Sequence, residues 1–312
     1  MTPPAARPYP ALHALPDHPS LIDLVCHGAT LLEGAGVAFG HGTDNAFDEA
    51  AWLVLWQLGM PLDTPLEDAD PARPVTVTPI QRTQVLELLR RRIDTRQPAA
   101  YLTGEAWLQG VPFYVDERVI VPRSFIAELL VQGDIDPWLG EDTRRVLDLC
   151  TGNGSLAIIA AMVYPEIEVD AADLSPDALA VAHINVEKHE LQGRIHLSQS
   201  DGLSSLAGPY DLILCNPPYV NATSMAALPA EYRAEPALAL DGNAQGSSDG
   251  MDFIRTLLRD AGACLTAKGV LVLEIGNERT HFEAAFPTLS PIWLETSAGE
   301  DQVLLLTAQA LT

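Results

Sequence analysis

Apolar positions recur at two different spacings along the chain, and the change between them divides it. Before residue 100 the spacing is helical. Leu21 to Leu32 and Phe47 to Leu58 are two such stretches, the second with Trp52 and Trp56 one turn apart and expected in a core. A third runs from Thr78 to Ile93, where Val85, Leu88, Leu89 and Ile93 share one face. Thr78-Pro79 suits its start, because proline at the first helical position loses no needed N–H. Between Tyr101 and Val121 the pattern becomes strand-like and is broken by Gly104, Gly110 and Pro112, which predicts a hairpin. From Arg144 onward short apolar runs alternate with longer helical ones. Strands are expected at Arg145–Cys150, Glu168–Asp173, Arg194–Gln199, Tyr210–Asn216, Gly269–Ile275 and Gln302–Thr307. Helices are expected at Ser155–Val163, Pro176–His189 and Gly250–Thr266. That alternation predicts an α/β fold, with a mainly parallel sheet covered by helices on both faces. The expected organisation is a helical domain over 1–100, a hairpin linker over 101–121 and an α/β domain over 122–312.

Composition adds little to this picture except through charge. The 312 residues are 47% hydrophobic, enough for a packed core. No apolar run is long enough to span a bilayer, which speaks against a membrane partner. Six prolines among residues 1–20 predict an irregular lead-in, and no signal-peptide pattern is present, so the cytoplasm is the expected compartment. Cysteines at 26, 150, 215 and 264 are widely spaced, without CxxC or metal-ligand spacing, and read as reduced, packed thiols. The eight histidines contain no HExxH, so no metal is expected. Against 18 Lys and Arg stand 42 Asp and Glu, a net charge of −24. Such a surface repels phosphates and favours a basic partner over nucleic acid.

Candidate chemistry lies at the ends of the expected strands. Asp148-Leu149-Cys150-Thr151-Gly152-Asn153-Gly154 carries a strand into a glycine-bearing turn before a helix, where bare backbone can approach a ligand. The spacing is DxxxGxG, with neither the GxGxxG of dinucleotide enzymes nor a GK[ST] phosphate loop. Asp173, followed by Leu174, ends the next strand, where a carboxylate can accept both ribose hydroxyls of a nucleoside. Asp201-Gly202 follows the third strand and could bound an adenine ring. Three acids at successive strand ends, without a basic cluster, fit a phosphate-free cationic nucleoside such as S-adenosylmethionine. The loop Asn216-Pro217-Pro218-Tyr219 follows the fourth strand. Its two prolines fix φ and supply no N–H, so the loop is stiff and displays acceptors. The Asn216 side-chain oxygen and the Pro217 carbonyl could accept the two hydrogens of a planar –NH₂ group, while Tyr219 stacks on its plane. Asn216 also adjoins the expected donor site.

These residues resemble the HemK-like protein-(glutamine-N5) methyltransferases, and the resemblance covers nearly the whole chain. It implies a class I methyltransferase fold (a Rossmann-like, mainly parallel seven-stranded sheet) with a small helical domain for substrate recognition. It also implies conversion of S-adenosylmethionine to S-adenosylhomocysteine. Tyr101-Leu-Thr-Gly-Glu-Ala-Trp107, Phe113-Tyr-Val-Asp-Glu-Arg118, Val121-Pro-Arg-Ser124 and Glu231-Tyr-Arg-Ala-Glu-Pro236 are similar to the branch that modifies a glutamine of the third large-subunit ribosomal protein, a basic partner. The branch that modifies peptide-chain release factors usually reads Pro-Arg-Pro-Glu-Thr where this chain has Pro122-Arg123-Ser124-Phe125-Ile126. Cys150 stands where many methyltransferases carry a glycine, and Ser155 and Phe125 also depart from the expected residues. Three rival readings are methylation of release factors, adenine-N6 methylation of DNA or RNA, and a ribosome-assembly factor that has lost activity.

Overall fold

The computed structural model describes residues 15, 16, 18–67, 75 and 77–311. Most of the expected irregular lead-in, residues 1–14 and 17, lies outside them. By its internal contacts the chain divides into two compact units. One comprises Met1–Gly104 with Pro229–Ala234, and the other comprises Glu105–Leu228 with Glu235–Thr312.

The first unit is helical: α1 (Leu21–Gly34), α2 (Ala46–Gln57), α3 (Pro79–Thr95) and the single turn α4 (Ala99–Thr103). Its long helices start where short polar side chains can satisfy the free N–H groups of the first turn. The Ser20 hydroxyl accepts from Asp23 N–H while the Asp23 carboxylate takes the Ser20 N–H, and Thr78 and Gln81 repeat that exchange ahead of Pro79. Leu24, Val25, Leu53, Val54, Val85 and Leu89 are fully buried. Gly28 allows the close approach, since a Cβ there would stand 3.1 Å from both Ala50 Cβ and Leu89 Cδ1. Of the tryptophan pair only Trp52 is inside. Trp56 is 36% exposed in the last turn of α2, because four residues advance about 40° beyond one full turn. Arg92 is fully buried: its Nε donates to Glu49 Oε1 at 2.8 Å and its Nη2 to the Ala38 carbonyl at 3.1 Å. Glu231, from the segment Pro229–Ala234, joins this group by an ion pair with Arg92 at 3.6 Å and also pairs with Arg96 at 3.1 Å.

The second unit opens with the strands β1 (Glu105–Leu108) and β2 (Val111–Tyr114), paired antiparallel. Gln109 (φ 50°) and Gly110 (φ 76°) form the two-residue turn between them, both in the left-handed region that such tight hairpins require. The expected hairpin is therefore present, although Tyr101–Thr103 belong to α4 and not to its first strand. Then follow α5 (Ile126–Gln132), β3 (Arg145–Leu149), α6 (Ser155–Val163), β4 (Glu168–Asp173), α7 (Pro176–Lys188), β5 (Ile195–Gln199) and β6 (Tyr210–Cys215). The remainder is α8 (Ala222–Ala227), α9 (Asp252–Cys264), β7 (Leu265–Glu274), α10 (Arg279–Ala285), β8 (Ile292–Thr296) and β9 (Gly299–Thr307).

β3 to β9 form one seven-stranded sheet in the order β5-β4-β3-β6-β7-β9-β8. All pairings from β5 to β7 are parallel, and β9 enters antiparallel between β7 and β8. This is the mainly parallel, Rossmann-like sheet of the sequence expectation. Alternate residues of each strand face opposite helix layers. Val146, Leu212 and Leu214 pack with α5 and α6, whereas Leu147, Leu149 and Ile213 pack with α9 and α10. Each buried leucine or isoleucine contributes about 1.5–3 kcal/mol, and burial on both faces makes these strands continuous apolar runs. The chain moves outward from β3 through β4 to β5, then returns to place β6 on the other side of β3. At such a reversal the connections after neighbouring strands diverge and leave a crevice outside their carboxyl ends.

Candidate active site

The carboxyl ends of β3, β4, β5 and β6 open into a cavity of about 500 Å³, within the range of small-molecule sites. Its wall contains Leu149, Cys150 and Gly152 after β3, Asp173 and Leu174 at β4, and Asp201 and Gly202 after β5. Asn216 and Pro218 after β6 complete the set. The structure thus brings together residues from all four sequence segments singled out for chemistry.

The loop after β3 is shaped by backbone conformation. Cys150, Gly152 and Gly154 have φ of 61°, 56° and 83°, so every second residue is left-handed. Glycine takes that conformation without strain; Cys150 takes it with a side chain, whose thiol is pushed up in pKa by the neighbouring Cys215 and by burial. A Cβ on Gly152 would meet nothing within 4 Å, because this residue faces the open cavity. A Cβ on Gly154 would lie 3.3 Å from Ala182 Cβ, so here the bare position serves the packing of α6 against α7.

Two carboxylates hold this loop from different sides. Asp173 accepts the Gly152 N–H through Oδ2 and the Ser175 N–H through Oδ1, both at 2.9 Å, and still lines the cavity. Burial raises its pKa although those bonds oppose the shift. Asp148 lies beneath the loop and does not reach the cavity wall. Its Oδ2 accepts from Thr151 Oγ1 at 2.5 Å and from the Ala157 N–H at 2.9 Å, capping the first turn of α6 from outside the helix. Strand alternation explains the placement: Asp148 shares the face of Val146, under α6. Asp148 Oδ1 is buried without a partner, and burial pushes the carboxyl up to about 7. Thr151 and Asn153 are likewise buried supports of the loop, Asn153 accepting the Ser155 N–H at 3.2 Å.

The segment after β6 is held by other means. Pro217 is buried, while Asn216, Pro218 and Tyr219 are half-buried. Val220 is bonded on both sides, its N–H donating to the Leu240 carbonyl at 2.9 Å and its carbonyl accepting from Gly242 N–H at 3.2 Å. The main chain of Tyr219 packs on Gly250, where a Cβ would overlap the Tyr219 carbonyl. The tyrosine hydroxyl faces the buried Glu274, and its pKa is raised well above the ordinary phenol value by burial first and by Glu274 second.

Several contributors escaped sequence reasoning. Asn185 of α7 is fully buried; its Oδ1 accepts the Tyr114 N–H at 2.7 Å, and its Nδ2 donates to the carbonyls of Tyr114 and Asn153, each at 2.9 Å. One side chain therefore fastens the hairpin to the loop after β3. The signal was a lone amide on the apolar face of α7, beside Val181, Ala182 and Val186. Phe253 of α9 and Leu238 line the cavity without any local motif. Arg123 forms two bonds to Glu235 at 2.6 and 2.7 Å, and Ser124 donates to Glu274 at 2.5 Å, pairings more than a hundred residues apart in the chain.

Known proteins resemble this chain along most of its length. Residues 128–235 match the methyltransferase small domain family. The chain is 54% identical to the ribosomal protein uL3 glutamine methyltransferase of Bordetella pertussis, over 94% of this chain and 96% of that one. It is 51% identical to the protein of that name from Burkholderia pseudomallei, covering 93% and 94% of the two chains, and 48% identical to that from Neisseria gonorrhoeae, covering 93% and 94%. Similarity at this level along the full length shows that the chain belongs to the ribosomal protein uL3 glutamine methyltransferase family.

Proposed function

We propose that this protein transfers a methyl group from S-adenosylmethionine to the side-chain amide nitrogen of a glutamine in ribosomal protein uL3. The observation that carries the reading is that Asn216 and Pro218 share one cavity with Gly152, Asp173 and Asp201. A planar nitrogen acceptor and a nucleoside donor can meet there. The fit to the donor rests on the wall itself. Its charged side chains are three carboxylates, Asp173, Asp201 and Asp241, against one cation, Arg118. Such a wall suits a cationic nucleoside and disfavours a phosphate-bearing one. Gly152 leaves backbone open to a ligand, Asp173 offers its carboxylate to the ribose hydroxyls, and Gly202 with Phe253 bounds the space for an adenine.

When bound, S-adenosylmethionine supplies an electrophilic methyl group on a sulfonium. The chain's own residues do the rest by positioning. The Asn216 side-chain oxygen and the Pro217 carbonyl accept the two N–H groups of the glutamine amide and hold its nitrogen on the line of displacement. The stiff proline pair keeps these acceptors in place before the substrate arrives. Tyr219 presents a flat face to the amide plane. The proton leaves after the nitrogen becomes positive, so a strong base is not required. The net charge of −24 favours a basic protein substrate, and a cytoplasmic site of action follows from a ribosomal target.

Mass spectrometry of purified uL3 incubated with the enzyme and S-adenosylmethionine tests the reading. One added methyl group on a single glutamine is expected. Methylation of a release factor or of duplex DNA, with uL3 unchanged, would overturn it.

A further inference from the structure

The turn that follows β7 is built around Tyr219. Glu274, the last residue of β7, is 2% exposed. Its Oε2 accepts from Ser124 Oγ at 2.5 Å and from the Phe125 N–H at 3.0 Å, and its Oε1 accepts from the Tyr219 hydroxyl at 3.5 Å. Two residues on, Gly276 has φ 52° and lies against the same ring. A Cβ there would stand 2.7 Å from Tyr219 Cε2 and 3.0 Å from Cζ. With Gly250 under its main chain, the tyrosine is seated at backbone, ring and hydroxyl.

A buried carboxylate is costly unless its partners compensate for lost water, and among the described residues no cation is bonded to this one. The nearby Arg123 bonds Glu235. Glu274 receives three donors instead; the ionised carboxylate accepts them with no proton of its own to place, whereas the protonated acid must also find an acceptor for its O–H in the same buried surroundings. Protonation adds an O–H donor, which the Tyr219 or Ser124 hydroxyl can accept only by turning its own O–H away. The longest bond, to Tyr219, is the one most easily given up.

We propose that Glu274 and Gly276 are positioning residues for methyl transfer, that they seat Tyr219 beside the acceptor nitrogen, and that ionised Glu274 is the form competent for turnover. This rests on the proposed role of the Asn216–Tyr219 loop. The groups that face the pair are Arg123 from the segment before α5 and Glu278 from the turn before α10, together with the Ser124 hydroxyl. Burial outweighs these contacts and pushes Glu274 up to about 7, so its ionisation falls within the working range. The Tyr219 hydroxyl stays protonated throughout, as a donor must.

The test uses the full chain with uL3 and S-adenosylmethionine, measuring kcat and both KM values across pH. Wild type should show an acid limb in kcat centred at about 7. Glu274→Gln should remove that limb and lower the alkaline plateau roughly 10- to 100-fold, the upper figure being the cost of displacing a positioned group by about 1 Å. Donor affinity should stay unchanged. Glu274→Asp should keep a limb, and Gly276→Ala should lower kcat while keeping it. A second measurement needs no acceptor. With ¹³C at Cζ of tyrosine, assigned through Tyr219→Phe, the Tyr219 resonance should titrate with the Glu274 midpoint in wild type and not in Glu274→Gln. Identical pH profiles for wild type and Glu274→Gln, or a Tyr219 resonance that ignores Glu274, would overturn the inference. Failure of the functional reading is separate: wild type would leave uL3 unmethylated, and the resonance would still decide the seating.

Discussion

The proposed donor side and the proposed acceptor side of the cavity are each a loop at a strand end, yet they are made rigid in different ways. After β3 the chain owes its shape to left-handed φ at Cys150, Gly152 and Gly154, and to carboxylates of β3 and β4 that gather its N–H and hydroxyl groups. After β6 the chain owes its shape to a proline pair, to bonding of Val220 on both sides, and to the seat under Tyr219. The first construction exposes bare backbone and negative charge, which suits a ligand bound by shape and by its hydroxyls. The second presents acceptors at fixed positions, which suits control of one reacting atom. Damage to the donor side should therefore appear in affinity, and damage to the acceptor side in turnover.

The largest expected effect is on the acceptor side. Asn216→Ala should lower kcat by roughly 10²–10³-fold, the usual cost of losing one preorganised polar contact to the transition state. Calorimetric donor affinity should remain within a few-fold. A large loss of affinity in this variant would break the division of labour. Asp173→Ala is the counterpart: donor binding should weaken by about 1.5–3 kcal/mol, the range for hydrogen bonds to a charged group, as read by calorimetry. Next comes Gly152→Ala. The methyl group enters the open cavity, so affinity should fall about tenfold, while thermal stability drops by only about 1 kcal/mol for the unfavourable positive φ. Gly154→Ala should reverse that balance, because its methyl group meets Ala182 and not the cavity.

The last prediction concerns Asp148 and bears on stability, not on affinity or turnover. Its folded carboxyl is raised from 3.8 to about 7. The folded chain therefore keeps a proton that the unfolded chain has already released. The stability this provides is present at low pH and is lost as pH rises toward about 7. Asp148→Asn should flatten that decline in thermal melts and should be close to neutral at low pH. Its amide oxygen can still accept from Thr151 and Ala157, and its –NH₂ occupies the position of the unpartnered Oδ1.

Much of this was legible in the chain because its signals are local. Apolar runs announced β3, β4, β5 and β6, and the residues just beyond them form the cavity wall. Thr78-Pro79 marked the start of α3, and the hairpin was expected where β1 and β2 lie. What stayed hidden is set by distance or by short length. β8 is a five-residue edge strand, and α5 and α10 are seven-residue helices, too brief for a period to stand out. The pairing of Ser124 with Glu274 spans 150 residues and leaves no pattern in either neighbourhood. Asp148 reads as a ligand contact in a motif, whereas strand alternation turns it under α6. Trp56 falls at the end of a helix, where a period of apolar residues continues beyond the packing it describes.

Asn185 gives the hairpin and the donor loop a common fastening. A shift of the loop that moves the Asn153 carbonyl would strain or break one of that amide's bonds. The backbone N–H of Tyr114, sheltered by Asn185 Oδ1 at 2.7 Å, is thereby a reporter on the donor side that lies outside it. Its rate of deuterium uptake would register whether the cavity is filled without a probe being placed there.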